Sequence, residues 1–385
     1  MDVNGFTAPG FDAVAEAFAR NFTEFGEVGA AFAAYRDGEL VADLWGGHAD
    51  PQTGRPWRED TLQLVFSGTK GLVAACVLLL AERGLLDLDA PAARYWPEFA
   101  AAGKGAITVS EIMSHQARLP GIREPIGTEQ ILDPGLMAKL LAAQEPLADP
   151  RAAFTYHALT YGWLAGELVR RVDGRSVGAF FADEFARPLG LEVWIGLPGE
   201  LHHRVSTMSA GPGFLADPDE PPTGDPLRDL ARNPLTITGS PALWNSAAFR
   251  GTEMPGVNAH GTARSIARFY ACLARGGELD GVRVLKESTL ERGRRQLRYG
   301  VEPLWGSPIA YATGFELQTE LEIFGPAPDA FGHAGAGGSR HAAWPTERIG
   351  FSYAMNQAHA VYPDPRPLAL LNALYTAAHA AGPRN

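Results

Sequence analysis

One stretch constrains this chain more than any other. In LVFSGTKGLVAACVLLL (64–80) a short apolar run is interrupted by Ser67-Gly68-Thr69-Lys70 and then resumes from Gly71 to Ala81. The second run is too short to cross a bilayer and reads as a buried helix. If that helix begins near Ser67, Lys70 lies one turn on along the same face, within reach of the serine hydroxyl. A serine hydroxyl is a poor nucleophile until something accepts its proton. A lysine does so only when it is held neutral, which burial among apolar residues or a neighbouring cation achieves. From the tetrapeptide alone, the competing reading is a solvated helix start with Ser67 as N-cap.

The 385 residues allow two or three domains by length, or one large mixed fold. A hydrophobic content of 46%, with 44 glycines and 29 prolines, describes an ordered, loop-rich chain. A net charge of −11 argues against nucleic acid as a partner, and the arginine cluster ERGRRQLR (291–298) reads as a solvated helix face. The N-terminus has no basic region followed by an apolar run, so a cytoplasmic location and no membrane anchorage are expected. Cys76 and Cys272 read as buried free thiols. The ten histidines form no His-Glu-x-x-His pattern, and His202-His203 has no acidic cluster nearby, so neither metal nor cofactor is expected.

Along the chain, Phe11, Val14, Phe18, Phe22 and Phe25 fall at helical steps and predict an amphipathic helix over 11–25 that covers a sheet. Two strand-like runs (29–47) flank Asp37-Gly38, a hairpin signal. Gly84 ends the buried helix. From there to about Gly190 the pattern is mainly helical, with Thr108 and Glu111 spaced as a capping box, a helix over 161–172, and another over 177–190 that Pro188 stops. Residues 211–255 contain eight prolines and no sustained periodicity, as a cover over a site or a flexible insertion would. A helix returns at 261–277. Segments 311–318, 339–344 and 349–356 read as strands, and a final helix over 367–380 places Leu368, Leu371 and Tyr375 on one face. The order predicts an α/β (α+β) architecture: a sheet region from residues 1–88 and 258–385, and a mostly helical inserted region, 89–257, carrying the Pro-rich segment 211–255.

Two further groups bear on Ser67. Tyr156 stands just before a helix start, where a phenol beside a neutral lysine relays protons between nucleophile and leaving group. His333-Ala334-Gly335 precedes a glycine-rich strand entry, where small residues let a backbone N–H approach a substrate oxygen. Taken alone, Tyr156 also fits a core aromatic and the glycines a tight turn. A rival serine lies in Gly174-Arg175-Ser176-Val177-Gly178, which matches the Gly-x-Ser-x-Gly elbow. That elbow needs a strand before it, and the preceding segment reads as helix, so Ser176 is taken as a turn residue or N-cap. Asp60 and Asp87 read as capping or turn acids.

The order Ser67-x-x-Lys70, Tyr156, His333-x-Gly335 resembles the serine β-lactamase and penicillin-binding-protein superfamily, especially its family VIII carboxylesterase branch. WREDTLQLVFSGTKG, ITVSEIMSHQARLPG, ARPLGLE, GTARSIARFYACLARGG and FGHAGAGGS follow the family order, so the likeness spans nearly the whole chain. The resemblance implies a β-lactamase-like fold, acylation of Ser67, acid and base duties shared by Lys70 and Tyr156, and an oxyanion hole from the amides of Ser67 and Ala336. Which of Lys70 and Tyr156 is the base is left open. Two departures matter. Tyr-x-Asn reads Tyr156-His157-Ala158, which lacks the amide, and Lys-Thr-Gly reads His333-Ala334-Gly335, which lacks a cation suited to a substrate carboxylate. Both point toward neutral esters and away from β-lactams.

The expectation is a carboxylesterase of short-chain small-molecule esters working through an acyl-enzyme on Ser67, with His333 and Gly335 near the substrate and His157 a structural residue or one that lines the pocket. Phe214, Trp244 and Phe249 of the irregular segment are the candidate acyl contacts. Acyl transfer to an alcohol or amine, β-lactamase-type amide hydrolysis and a non-catalytic acyl sensor are the alternatives, and a homo-oligomer is left open.

Overall fold

In this computed structural model, which describes residues 3–215, 221–234 and 239–380, the first hairpin closes as its sequence requires. Asp37 and Gly38 take φ values of 54° and 89°, and Gly29–Arg36 and Glu39–Asp50 pair antiparallel on either side. These strands sit inside a large antiparallel sheet in the order Val3–Thr7, Glu39–Asp50, Gly29–Arg36, Ile349–Met355, Arg340–Trp344, Phe331–Ala334, Glu316–Leu317, Pro308–Tyr311, Arg298–Val301. Arg55–Pro56 pairs off this path with Glu39–Asp50.

Side-chain size sorts the two faces of the sheet. Ile349 and Phe351 alternate with Gly350 and Ser352. On one side Phe351 meets Trp344, and Trp344 meets Tyr375 of the C-terminal helix Pro365–Ala380, which packs on the N-terminal helix Asp12–Glu24. On the other side lies the helix Ala263–Ala274, so close that a Cβ on Gly350 would stand 2.0 Å from the Ala271 nitrogen. Only glycine permits that approach.

The apolar run forms the helix Thr69–Glu82, with every residue from Thr69 to Leu80 buried. It packs against Thr160–Asp173, Val177–Phe181 and Glu287–Gly293. A small three-stranded sheet of Gln63–Leu64, Ala259–Gly261 and Val193–Ile195 delivers the chain to Ser67. The capping box at Thr108 and Glu111 is present, Ser176 caps its helix through the Ala179 N–H, and Cys76 and Cys272 are buried thiols.

Several expectations differ from the structure. The helix from Val177 continues past Pro188: a wider turn at Ala182–Ala186 relaxes the backbone ahead of the ring, and Gly190, with φ 63°, ends it. Residues 311–318 are not one strand but a hairpin whose arms pair at Tyr311 and Glu316. The cluster 291–298 is helical only to Gly293 and reaches strand at Arg298. In the last helix Leu370, Leu371 and Leu374 are buried, while Leu368 and Tyr375 are half-buried. Among its described residues the Pro-rich segment holds the short helices Pro226–Arg232, Pro241–Trp244 and Ala247–Gly251; residues 216–220 and 235–238 lie outside the described ones. Among the described residues no helix is long and apolar enough to cross a membrane, and no group of His, Cys, Asp and Glu is placed to hold a metal.

Buried histidines, among them His157, His260 and His341, give the fold a pH dependence. Burial lowers His157 to about 4 and both His260 and His341 to about 3. In the unfolded chain each titrates near 6.5. Between those values the unfolded state binds the extra protons, so stability is full above about 6.5 and is lost as pH falls toward the folded-state values. Calorimetric melts are expected to show a steady Tm down to about pH 6.5 and a progressive fall below it. A Tm that holds to pH 4 would contradict neutral burial.

Candidate active site

The residue before Ser67 is held in an unusual conformation. Phe66 has φ 44°, in the left-handed region that a bulky side chain rarely adopts, and its carbonyl accepts both the Thr69 N–H at 3.0 Å and the Thr69 hydroxyl at 2.6 Å. Its ring meets Trp244 edge-on at 5.2 Å. The sharp turn leaves Ser67 outside the helix, whose N-cap is Gly68 with no side-chain cap. Ser67 is therefore not a cap, and its hydroxyl is available for chemistry.

Two side chains converge on that hydroxyl. Lys70 Nζ lies 3.0 Å from Ser67 Oγ, and the Tyr156 phenol donates to the same oxygen at 2.8 Å. Lys70 Nζ also donates to the carbonyls of Ala158 and Gly256, each at 2.8 Å. Lys70 is fully buried, and burial pushes its ammonium well below the usual lysine value; the distant carboxylate of Glu316 opposes this. Burial also pushes the Tyr156 phenol up, so it stays protonated.

The tyrosine is gripped from several directions. Its backbone N–H donates to Glu302 Oε1 at 3.1 Å, and Glu302 Oε2 accepts from the backbones of Leu304 and Trp305. His115 lies against its ring at 4.8 Å, Trp305 meets it edge-on at 5.6 Å, and Tyr311 stacks at 6.1 Å.

Two cavities meet at Ser67. The larger, about 580 Å³, is lined by His333, Gly335 and Ala336 together with Tyr311, Glu316 and Arg340. The smaller, about 360 Å³, is lined mainly by apolar side chains, among them Phe66, Leu159, Trp244 and Phe249. Tyr156, Phe214, Trp305 and Ala336 border both. The structure thus brings every expected site residue to the serine except one. His157 lines neither cavity: its Nε2 accepts the Leu119 N–H at 3.0 Å, its Nδ1 faces the Thr155 carbonyl at 2.6 Å, and its backbone N–H donates to His115 Nδ1. With both ring nitrogens tied to backbone inside the core, it cannot face a substrate. Ser176 donates to Glu253 Oε1 and accepts the Ala179 N–H, so it is occupied by capping.

The glycine loop after His333 is anchored from beneath. Gly337 and Gly338 have φ 80° and 130°. The Gly337 carbonyl accepts from Arg366 Nη2 at 2.8 Å, and Arg366, with no exposed side-chain surface, pairs with Asp364 at 2.7 Å and Glu27 at 3.1 Å. Tyr353 donates to the other oxygen of Glu27. Nothing in the motif marks this support. The carbonyls of Ala158 and Gly256 are equally silent, because a backbone oxygen has no residue type. Glu316 and Arg340 were detectable in principle, as charges within otherwise apolar strand segments.

The β-lactamase family model matches residues 18–374. The chain is 35% identical over 366 residues to the esterase/β-lactamase LipL of Mycobacterium tuberculosis, covering 92% of this chain and 82% of that protein. Among solved structures it is similar to a family VIII carboxylesterase, with a TM-score of 0.90 and 39% identity over 98% of this chain and all of that one. A penicillin-binding protein homologue from Caulobacter crescentus has a TM-score of 0.88 and 37% identity over the same shares. With sequence, fold and the arrangement of Ser67, Lys70 and Tyr156 in agreement over nearly its whole length, the chain belongs to the β-lactamase family.

Proposed function

We propose that this protein is a serine carboxylesterase that hydrolyses short-chain esters through an acyl-enzyme on Ser67. The observation that carries the reading is the number of partners around Lys70 Nζ. A neutral amine has two hydrogens and one lone pair; the carbonyls of Ala158 and Gly256 take the two hydrogens, and the lone pair is left facing Ser67 Oγ. Lys70 is then the base and Tyr156, kept protonated, the acid.

The proton on Ser67 Oγ passes to Lys70 as Oγ bonds to the ester carbonyl carbon. The oxygen of that carbonyl becomes anionic and is received by the amides of Ser67 and Ala336. As the intermediate collapses, the carbon–alkoxide bond breaks, the leaving oxygen takes the Tyr156 proton, and Lys70 returns its extra proton to the phenolate. A water then gives one proton to the Lys70–Tyr156 pair and attacks the acyl carbon; Ser67 Oγ leaves with that proton. The apolar cavity beside Phe214, Trp244 and Phe249 receives the acyl chain.

Esterase-named relatives support the substrate class. So does the absence of a lysine at His333: burial holds its imidazole neutral, which suits no carboxylate as a β-lactam presents it. Steady-state hydrolysis of p-nitrophenyl esters from acetate to octanoate, beside a chromogenic cephalosporin, tests the reading. Multiple turnovers on the shorter esters and far slower cephalosporin hydrolysis are expected; cephalosporin preferred over every ester would overturn it. The rate is also expected to reach its alkaline plateau well below the usual lysine value, because Lys70 loses its proton early. An ascending limb centred near 10 in a pH–rate profile would contradict the neutral lysine.

A further inference from the structure

The larger cavity holds two buried charges of opposite sign that no group among the described residues neutralises directly. Glu316 is 7% exposed; its Oε2 accepts the Ala334 N–H at 2.9 Å and lies 3.7 Å from His333 Nδ1, and Oε1 has no donor among the described residues. Arg340 is 2% exposed. Its Nη1 donates to the Ser339 carbonyl at 2.8 Å and its guanidinium lies 5.9 Å from the Tyr362 ring, but Nε is buried with no acceptor.

The sheet sets their spacing. Glu316 pairs with Gly332 and Arg340 with Ala334, on the strands that flank Phe331–Ala334 from either side. Two strand spacings across and two residues along put their backbones about 12 Å apart. Both side chains line the cavity, and among the described residues no ion pair joins them. A buried guanidinium N–H without an acceptor is a cost that a ligand anion removes.

His333 adds no charge between them. Its Nδ1 lies 2.8 Å from the Ala334 carbonyl and must carry the hydrogen, so Nε2 is an acceptor; it is buried and unpartnered. A lysine there would have made the cavity cationic. As built, it presents the Glu316 carboxylate and the Arg340 guanidinium, besides Asp364, which is already paired with Arg366, and it is walled by the rings of Trp305, Tyr311 and Tyr362. Aromatic faces beside a carboxylate suit an ammonium.

We propose that this cavity is a leaving-group subsite for esters of zwitterionic alcohols, with the ammonium against Glu316 and the aromatic rings and the carboxylate on Arg340. This rests on the carboxylesterase reading. A purely anionic alcohol leaves Glu316 unmatched, and a purely cationic one leaves Arg340 unmatched. The alcohol departs with the proton from Tyr156 and keeps both of its charges.

Four butanoyl esters test the proposal: O-butanoylcarnitine with both charges, butanoylcholine with the cation, 3-butanoyloxybutanoate with the anion, and butyl butanoate with neither. For the wild-type protein, kcat/KM is expected to be about tenfold or more higher for the carnitine ester than for any of the other three. Arg340→Gln should remove the preference over the choline ester, and Glu316→Gln the preference over the anionic ester. Equal wild-type rates on the four esters, a preference for the choline ester, or ratios unchanged in both variants would overturn the subsite. These results leave the esterase reading standing whenever p-nitrophenyl butanoate is turned over. Loss of turnover on every ester, that one included, would overturn both.

Discussion

Lys70→Met is expected to lower kcat on a p-nitrophenyl ester by about ten-thousand-fold. Methionine fills the same buried space but has no basic lone pair for the Ser67 proton, and the carbonyls of Ala158 and Gly256 lose their donor. Ser67→Ala should fall to a similar floor, and the double variant should be little worse than either, since the two residues act as one unit. Lys70→Arg should not restore activity, because a guanidinium stays protonated. Steady-state kinetics on the four proteins, with melting temperatures to confirm folding, checks this. Additive losses in the double variant would mean that Lys70 acts on something other than Ser67.

Arg366→Met is expected to cost about 3–5 kcal/mol of stability. The guanidinium is fully buried between Asp364 and Glu27, and its removal leaves both carboxylates without a cation. It also frees the Gly337 carbonyl, which holds the loop that carries Ala336. Folded variant protein should therefore show a lower kcat with a smaller change in KM, as misplaced oxyanion donors would produce. Denaturant titration gives the first quantity and initial rates the second. A loss below about 1 kcal/mol would show that the network contributes little, as surface pairs do.

The parts legible in the sequence are those where one residue type is needed at a fixed step. Asp37-Gly38 announced its hairpin because few residues accept positive φ. Ser67 and Lys70 declared a shared face through their spacing, and the unbroken apolar run announced burial. Thr108 and Glu111 did the same for a helix start. What stayed hidden depends on groups without residue identity or on distant contacts. The carbonyls of Ala158 and Gly256 accept from Lys70 Nζ, yet any residue there could supply them. His157 reads from the sequence as structural or pocket-lining, and the structural half holds: its ring turns into the core to satisfy Leu119 and Thr155, which no local pattern encodes. Residues 311–318 read as one strand because hydrophobicity alone cannot place the turn at Gly314, whose φ is 80°. Glu27 and Arg366 are 339 positions apart in the sequence and meet only in the fold.

The most direct test of the account is intact-protein and peptide mass spectrometry after rapid acid quench of the enzyme mixed with p-nitrophenyl butanoate. A transient mass increase equal to one butanoyl group is expected, mapped to the peptide that contains Ser67 and absent from Ser67→Ala. An acyl group on any other residue, or turnover with no acyl adduct at the shortest quench times and undiminished in Ser67→Ala, would contradict it.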